Sequence, residues 1–513
     1  MAPAVTDAPH DRLDGLTSWH ADWRGLRVAV LGLGVTGFAV ADTLTELGAD
    51  VLVLASAPDD DRSRILEVIG ARFLVDPLTQ APAELVSFAP ELVVVSPGFH
   101  PDHPVLEWAA EAGLAVWGDI ELAWRVRDKV NAADWILVTG TNGKTTTVQL
   151  TATLLAANGL RAAPCGNIGV PVLDAVRDPG GFDVLVVELS SYQLHHLPTV
   201  GPGAIHPWAS VCLNLADDHL DWHGSFEAYR AAKAKVYANT RVACVYNRAD
   251  EATRAMVEDA EVEEGARAIG FGLDTPGPSD FGVVEGILCD RAFLDERHTA
   301  ALEITTVAEL EPRGLAAPHI VQNVLAASAL TRSYGVPVGV IHDALLDFRL
   351  DAHRIETVAV GGGIRWIDDS KATNPHAADA SLRAFGHVVW IVGGLLKGVD
   401  ADALVAAHVD RLRAAVVIGR DRAELVAAFG RHAPELPLFE VTADDTERVM
   451  PEAVALAAAV AEDGDTVLLA PAAASMDQFA DYADRGRRFN RAVQAMLGGG
   501  ADGDAAEGLA PRD

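Results

Sequence analysis

Trp135-Ile136-Leu137-Val138-Thr139-Gly140-Thr141-Asn142-Gly143-Lys144-Thr145-Thr146 runs from an apolar, strand-favouring stretch into a glycine-containing loop, and a helical pattern then extends from Thr145 to Asn158. A helix that opens on such a loop presents unpaired N–H groups and the positive end of its dipole, which together bind phosphate. Gly140 and Gly143 let the backbone approach the ligand, with Thr141, Asn142 and Thr146 completing the cradle. Lys144 is placed to neutralise the terminal phosphates of ATP, and the Thr145 hydroxyl to ligate magnesium. Val138 stands where the strict eight-residue phosphate motif has its first glycine.

Outward from this segment, strands and helices alternate. On the N-terminal side an apolar run at 27–31 leads into Gly32-Leu33-Gly34-Val35-Thr36-Gly37, a helical pattern from Phe38 to Gly48 and a second run at 50–55. That is a βαβ unit, and further runs at 92–95 and 114–117 extend a parallel sheet to about residue 118. On the C-terminal side, strands are expected at 184–187, 210–213 and 242–246, a glycine-rich stretch of short alternating runs at 270–310, and a helix at 320–333. A third series has strands at 364–367, 388–392, 415–418 and 466–469, separated by alanine-rich helices such as 401–413. At about 150 residues per domain, a chain of 513 residues accommodates these three α/β series as roughly three domains.

The balance of 73 acidic against 40 basic residues, net −33, argues against nucleic acid or an anionic membrane as partner. Cys165, Cys212, Cys244 and Cys289 lie far apart without a C-x-x-C pair, so they read as buried small hydrophobes rather than a disulfide or zinc framework. The first twenty residues lack an apolar core for secretion, and the uncharged stretch 197–216 contains three prolines. No membrane span is expected, and the cytoplasm is the expected location.

The first glycine turn fits a dinucleotide-binding dehydrogenase in spacing, but Leu54, Ala55 and Ser56 stand where an acid would hold the ribose, and the first aspartate is Asp59. Another phosphate-containing ligand, such as a nucleotide sugar, fits the turn equally. On these residues alone, a nucleotide-dependent enzyme, a dehydrogenase and a catalytically silent nucleotide-binding regulator all stay open.

More selective segments surround the phosphate loop: Ser96-Pro97-Gly98, Gly118-Asp119-Ile120-Glu121-Leu122, Glu188-Leu189-Ser190-Ser191-Tyr192-Gln193, Asp369-Ser370-Lys371-Ala372-Thr373-Asn374 and Leu469 to Phe479. With them the chain resembles the Mur ligases of peptidoglycan synthesis over nearly its whole length. The resemblance implies an N-terminal UDP-binding Rossmann-like domain over 1–118, a central P-loop ATPase-type α/β domain over 119–350, and a C-terminal Rossmann-like domain over 351–513 with a disordered tail at 498–513. It also implies an ATP-dependent amide bond between the carboxylate of UDP-N-acetylmuramoyl-L-alanine and the amine of D-glutamate, through an acyl phosphate, by a monomer.

The same resemblance distributes roles among the residues. Lys144, Glu188, His219, Lys233 and His353 would be catalytic. Glu188, at the end of an apolar strand, and His219, in Asn214-Leu215-Ala216-Asp217-Asp218-His219, would join Thr145 in holding magnesium, with two ions expected. Lys233 of Tyr229-Arg230-Ala231-Ala232-Lys233 reads by itself as a solvated helix lysine, yet the resemblance implies a carbamate derived from carbon dioxide there, and not on neighbouring Lys235. Asn323, Arg354, Asp369 and Lys371 would complete the ATP site. Val35, Thr36, Ser96, Pro97 and Gly98 would meet the uridine diphosphate end of the nucleotide sugar, and Asn167 and Gln193 its muramoyl-alanine end. Thr373, Lys397, Ser475, Met476 and Tyr482 would hold D-glutamate. Ile320, Leu395 with Leu396, and Tyr482 depart from the family's usual asparagine, polar residue and phenylalanine.

Overall fold

The structure, a computed structural model, describes residues 9–396 and 401–498. Strands β1 (Arg27–Leu31), β2 (Asp50–Ala55), β3 (Arg72–Val75), β4 (Leu92–Val95) and β5 (Ala115–Gly118) form a parallel sheet in the order β3-β2-β1-β4-β5. The inner strands are apolar on both faces because helices cover both, which is why they read as continuous runs without alternation. Strand order reverses between β1 and β4, so the glycine turn after β1 and Ser96 after β4 flank one crevice. A Cβ on Gly37 would lie 2.1 Å from the Gly32 carbonyl oxygen, so this turn closes only around glycine. The helix begins at Val35, three residues earlier than its apolar pattern predicts.

The second sheet has nine strands: β6 (Asp134–Thr139), β7 (Ala162–Gly166), β8 (Val184–Glu188), β9 (Ala209–Cys212), β10 (Ala243–Asn247), β11 (Arg267–Phe271), β12 (Asp280–Val284), β13 (Ile287–Asp290) and β14 (Leu302–Thr306). Its order is β14-β13-β12-β11-β10-β9-β6-β8-β7, placing β6 between β8 and β9. The glycine-rich stretch at 270–310 contains the antiparallel pairs β12–β13 and β13–β14. Asp290, fully buried at the end of β13, pairs with Arg332 at 2.8 Å and thereby ties this meander to the helix Pro318–Ser333. A further helix, Val338–Asp347, follows where no element was predicted.

These two sheets belong to one compact unit, comprising the chain through Leu310 together with Ile320–Phe348. A shared core that includes Trp23, Trp117, Trp124 and Trp135 joins them. At its edge Arg177 meets Asp42 at 2.6 Å and Glu46 at 2.9 Å.

The other unit, Glu311–His319 with the chain from Arg349 onward, contains β15 (Glu356–Gly361), β16 (Ile364–Asp368), β17 (Val388–Gly393), β18 (Leu412–Ile418), β19 (Leu438–Glu440) and β20 (Thr466–Leu469). The order is β15-β16-β20-β17-β18-β19, parallel except for the β15–β16 pair. The helix expected over 401–413 is corrected to Asp402–His408, a 3-10 turn Val409–Arg411, and then strand from Leu412. Alanine favours helix locally, but Leu412 pairs with Val388 at the start of β18, so sheet pairing overrides local propensity there. Gly498 ends the helix Tyr482–Gly498, and the rest of the expected tail lies outside the described residues.

Candidate functional site

The loop between β6 and the helix Lys144–Ala157 is braced from β9's side. Asn214 accepts from the Asn142 backbone N–H at 2.8 Å and donates to the Asn142 carbonyl at 3.1 Å, while the Thr141 N–H donates to the Asn214 carbonyl. Gly140 and Gly143 have φ of +148° and +84°. A Cβ on Gly143 would meet the side-chain oxygen of Asn323 at 2.5 Å, so Asn323 is packed directly against the loop. Val138 is a buried β6 residue in register with Glu188, which places the motif's missing glycine position inside the sheet. Lys144 Nζ folds back to donate to the carbonyls of Gly140 (2.9 Å) and Thr141 (2.8 Å).

Glu188 ends β8 beside this loop, almost fully buried. Its carboxylate accepts from Thr145 Oγ1 at 2.9 Å and from Asn167 Nδ2 at 3.2 Å. A Cβ on Gly166 would come 2.4 Å from the Glu188 carbonyl oxygen, so Gly-Asn at 166–167 allows the close approach of Asn167.

Lys233 is 2% exposed and donates to Thr139 Oγ1 (3.2 Å) and to the Gly140 carbonyl (2.9 Å). Burial, followed by the charge of Lys144, lowers its pKa to about 7. The solvated helix lysine read from its local sequence is thus corrected: the helix Phe226–Ala234 turns this residue inward. Lys235 instead caps the carbonyls of His195 and Leu197.

His219 starts the short helix Leu220–His223 with φ +54°, its Nδ1 2.6 Å from the Tyr192 hydroxyl. A hydroxyl, a carboxylate and an imidazole of this kind suit a hard divalent cation beside triphosphate oxygens.

In the first crevice Val35 is exposed and Thr36 half-buried at the helix start, and Ser96, Pro97 and Gly98 follow β4. Asp59, the nearest acid after β2, accepts from the Arg62 N–H as an N-cap, so it is committed to its helix and the dehydrogenase reading has no ribose acid there. Gln193 is buried: Oε1 accepts from the Ser190 N–H in a capping box, and Nε2 donates to Asp119 at 2.9 Å. Burial pushes the Asp119 carboxyl up to about 6. Glu121, from the same quoted segment, forms a buried pair with Arg125 at 2.8 Å.

In the second unit His353 has φ +67°, and its Nδ1 lies 2.7 Å from Asp368, whose hydrogen bond raises the imidazole pKa. Glu356, His353 and Asp368 form a compact group, but Glu356 accepts the His353 N–H and Asp368 the Ser370 N–H, so hydrogen bonds account for the cluster. Asp369 is buried beside Ser381 and Arg354, and burial pushes it up to about 6. Lys371 Nζ lies 3.8 Å from the centre of the Tyr482 ring. Arg485, fully buried, donates to the Ser370 and Ala473 carbonyls and so fixes the segments that carry Lys371, Thr373 and Ser475. Ser475 is buried, Met476 is 64% exposed, and Lys397 lies outside the described residues.

Sequence reading missed Thr139, Asn214 and Tyr192 as supports of the site, although all three stand inside or beside the quoted segments. Their roles depend on contacts between segments 27 to 94 residues apart, which no local pattern displays.

Family profiles match the chain at residues 26–118 (Mur ligase MurD-like, N-terminal domain), 138–331 (Mur ligase middle domain) and 353–473 (Mur ligase, glutamate ligase domain). A protein of Leifsonia xyli subsp. xyli called UDP-N-acetylmuramoylalanine--D-glutamate ligase is 69% identical over 96% of this chain and 97% of its own. One of the same name from Streptomyces avermitilis is 52% identical over 93% and 99%. In fold, UDP-N-acetylmuramate-alanine ligase from Thermotoga maritima superposes with a TM-score of 0.54 at 18% identity, over 92% of this chain and 99% of that one. Together with the three α/β sheets and the braced phosphate loop, these matches establish that the chain belongs to the Mur ligase family, whose members carry out ATP-dependent ligation in peptidoglycan precursor synthesis.

Proposed function

We propose that the chain joins the carboxylate of UDP-N-acetylmuramoyl-L-alanine to the amine of D-glutamate at the expense of ATP, as the names of its relatives describe for them. The carrying observation is the convergence of Lys144, Thr145, Glu188 and buried Lys233 on one loop. The substrate carboxylate attacks the γ-phosphorus, ADP departs, and an acyl phosphate results; the glutamate amine then attacks the acyl carbon and phosphate leaves. Lys144 and the loop N–H groups hold the β- and γ-phosphates, while Asn167, Val35, Thr36, Ser96, Pro97 and Gly98 grip the nucleotide sugar. Gln193 contributes there chiefly by fixing the turn after Glu188, since its amide is already engaged.

Thr145, Glu188 and His219 would hold magnesium, which supplies charge neutralisation between the two anionic reactants. Lys233, unprotonated in part near neutrality, would add to carbon dioxide with loss of a proton, its carbamate oxygens then serving a second ion. Asn323, Arg354, Asp369 and Lys371 are assigned to ATP, and Thr373, Lys397, Ser475, Met476 and Tyr482 to D-glutamate. His353 is assigned a catalytic role, its Nδ1 being held by Asp368. The domain limits 1–118, 119–350 and 351–513, a monomeric state and a cytoplasmic location belong to the same proposal, and no described helix is long and apolar enough to cross a membrane.

Purified protein with ATP, magnesium and UDP-N-acetylmuramoyl-L-alanine is expected to release phosphate when D-glutamate is added. Equal or faster release with meso-diaminopimelate or L-lysine would refute the choice of acceptor.

A further inference from the structure

An imidazole offers a metal one nitrogen, and the hydrogen bond made by the other decides which. Tyr192 Oη lies 2.6 Å from Nδ1 of His219, and the two rings pack at 4.8 Å between centroids. The Tyr192 ring also rests on Trp222, 4.6 Å away, and is thus held between the residue that begins the helix Leu220–His223 and one within it. Nε2, across the imidazole, lies on the side of the Asp218 carboxylate at 3.6 Å.

Tyr192 is itself firmly placed. It is the second residue of the helix Ser191–His196, whose start is locked by the Ser190–Gln193 capping box. Glu188 ends β8 four residues earlier. One stiff strand-to-helix turn therefore carries both the carboxylate that faces the phosphate loop and the phenol that reaches His219. His219 needs such a tether, because a non-glycine residue at φ +54° costs roughly 1 kcal/mol in backbone strain.

We propose that the Tyr192 hydroxyl is a positioning group for His219: its oxygen accepts a hydrogen bond from Nδ1–H, fixing the tautomer in which Nε2 carries the lone pair for the divalent cation. This rests on the reading of His219 as a metal ligand. A phenylalanine at 192 keeps the ring between His219 and Trp222 and removes only the hydroxyl, and with it the hydrogen bond that selects the tautomer.

The test measures Mn2+ binding to the full chain, with a non-hydrolysable ATP analogue present, by the loss of the free-ion EPR signal. Tyr192→Phe should raise the Mn2+ Kd about tenfold, with the thermal midpoint and the metal-free affinity for the analogue unchanged. His219→Ala should weaken Mn2+ at least as much, and adding Tyr192→Phe to it should weaken binding no further. Nitrogen NMR of 15N-histidine protein should find one His219 tautomer, protonated at Nδ1, with a diamagnetic ion bound, and a mixture in Tyr192→Phe. Unchanged Mn2+ affinity in Tyr192→Phe beside a weakened His219→Ala would overturn the positioning role alone. Unchanged affinity in His219→Ala would overturn the metal-ligand reading on which it rests.

Discussion

Replacing Lys233 with methionine gives the sharpest test of how this site is built, because it keeps the length of the side chain and removes its charge. Lys233 is 2% exposed, and burial lowers its pKa from 10.5 to about 7. Between those values the unfolded chain binds more protons at this residue than the native one, so stability rises with pH across the interval. The penalty is greatest at and below pH 7 and fades as pH approaches 10.5. Integrated from pH 7 to pH 9, the relief amounts to about 2 kcal/mol. Urea unfolding at pH 7, 8 and 9 in carbon dioxide-free buffer, on both proteins, isolates it, since every other titrating group is common to the pair. The wild type should gain about 2 kcal/mol on Lys233→Met over this range. Equal pH slopes would mean that the lysine stays solvated and charged, and the buried amine would have to be abandoned together with its suitability for reaction with carbon dioxide.

Gly143→Ala should destabilise the protein by about 1–2 kcal/mol through its left-handed backbone and by more because the new Cβ meets Asn323; adding Asn323→Ala should recover that second part in urea unfolding, and no recovery would show that the contact is unimportant. Arg332→Ala leaves Asp290 buried without its partner and should cost about 3–5 kcal/mol in urea unfolding; a loss under 1 kcal/mol would show that water reaches Asp290.

The fold was legible where periodicity and loop chemistry agree. The runs 28–31, 92–95, 135–138 and 184–187 are strands because each is apolar over the whole stretch that a doubly covered sheet requires. Reading failed where neighbours in space decide. Val409 to Arg413 looks like the continuation of an alanine-rich helix until Leu412 is seen paired with Val388, and β3, β7, β15 and β19 are edge strands whose residues are largely only part-buried, so no continuous apolar run marks them. At the site, the glycines and Lys144 stood out because a phosphate loop is local. Lys233 showed nothing local of its burial, and Asp119 nothing of its bond to Gln193, because each depends on an element brought from elsewhere in the chain.

The carbonyl oxygen of Gly140 receives the ammonium groups of both Lys144 and Lys233, each at 2.9 Å. For a reagent directed at this loop, two amines therefore share one address but differ in access. Lys233 gives up its proton near neutrality, yet it is sealed from anything large; Lys144, part-exposed on the phosphate loop, lies nearer the surface. Molecular size thus selects between them, with a triatomic gas small enough for the inner amine and bulky electrophiles confined to the outer one.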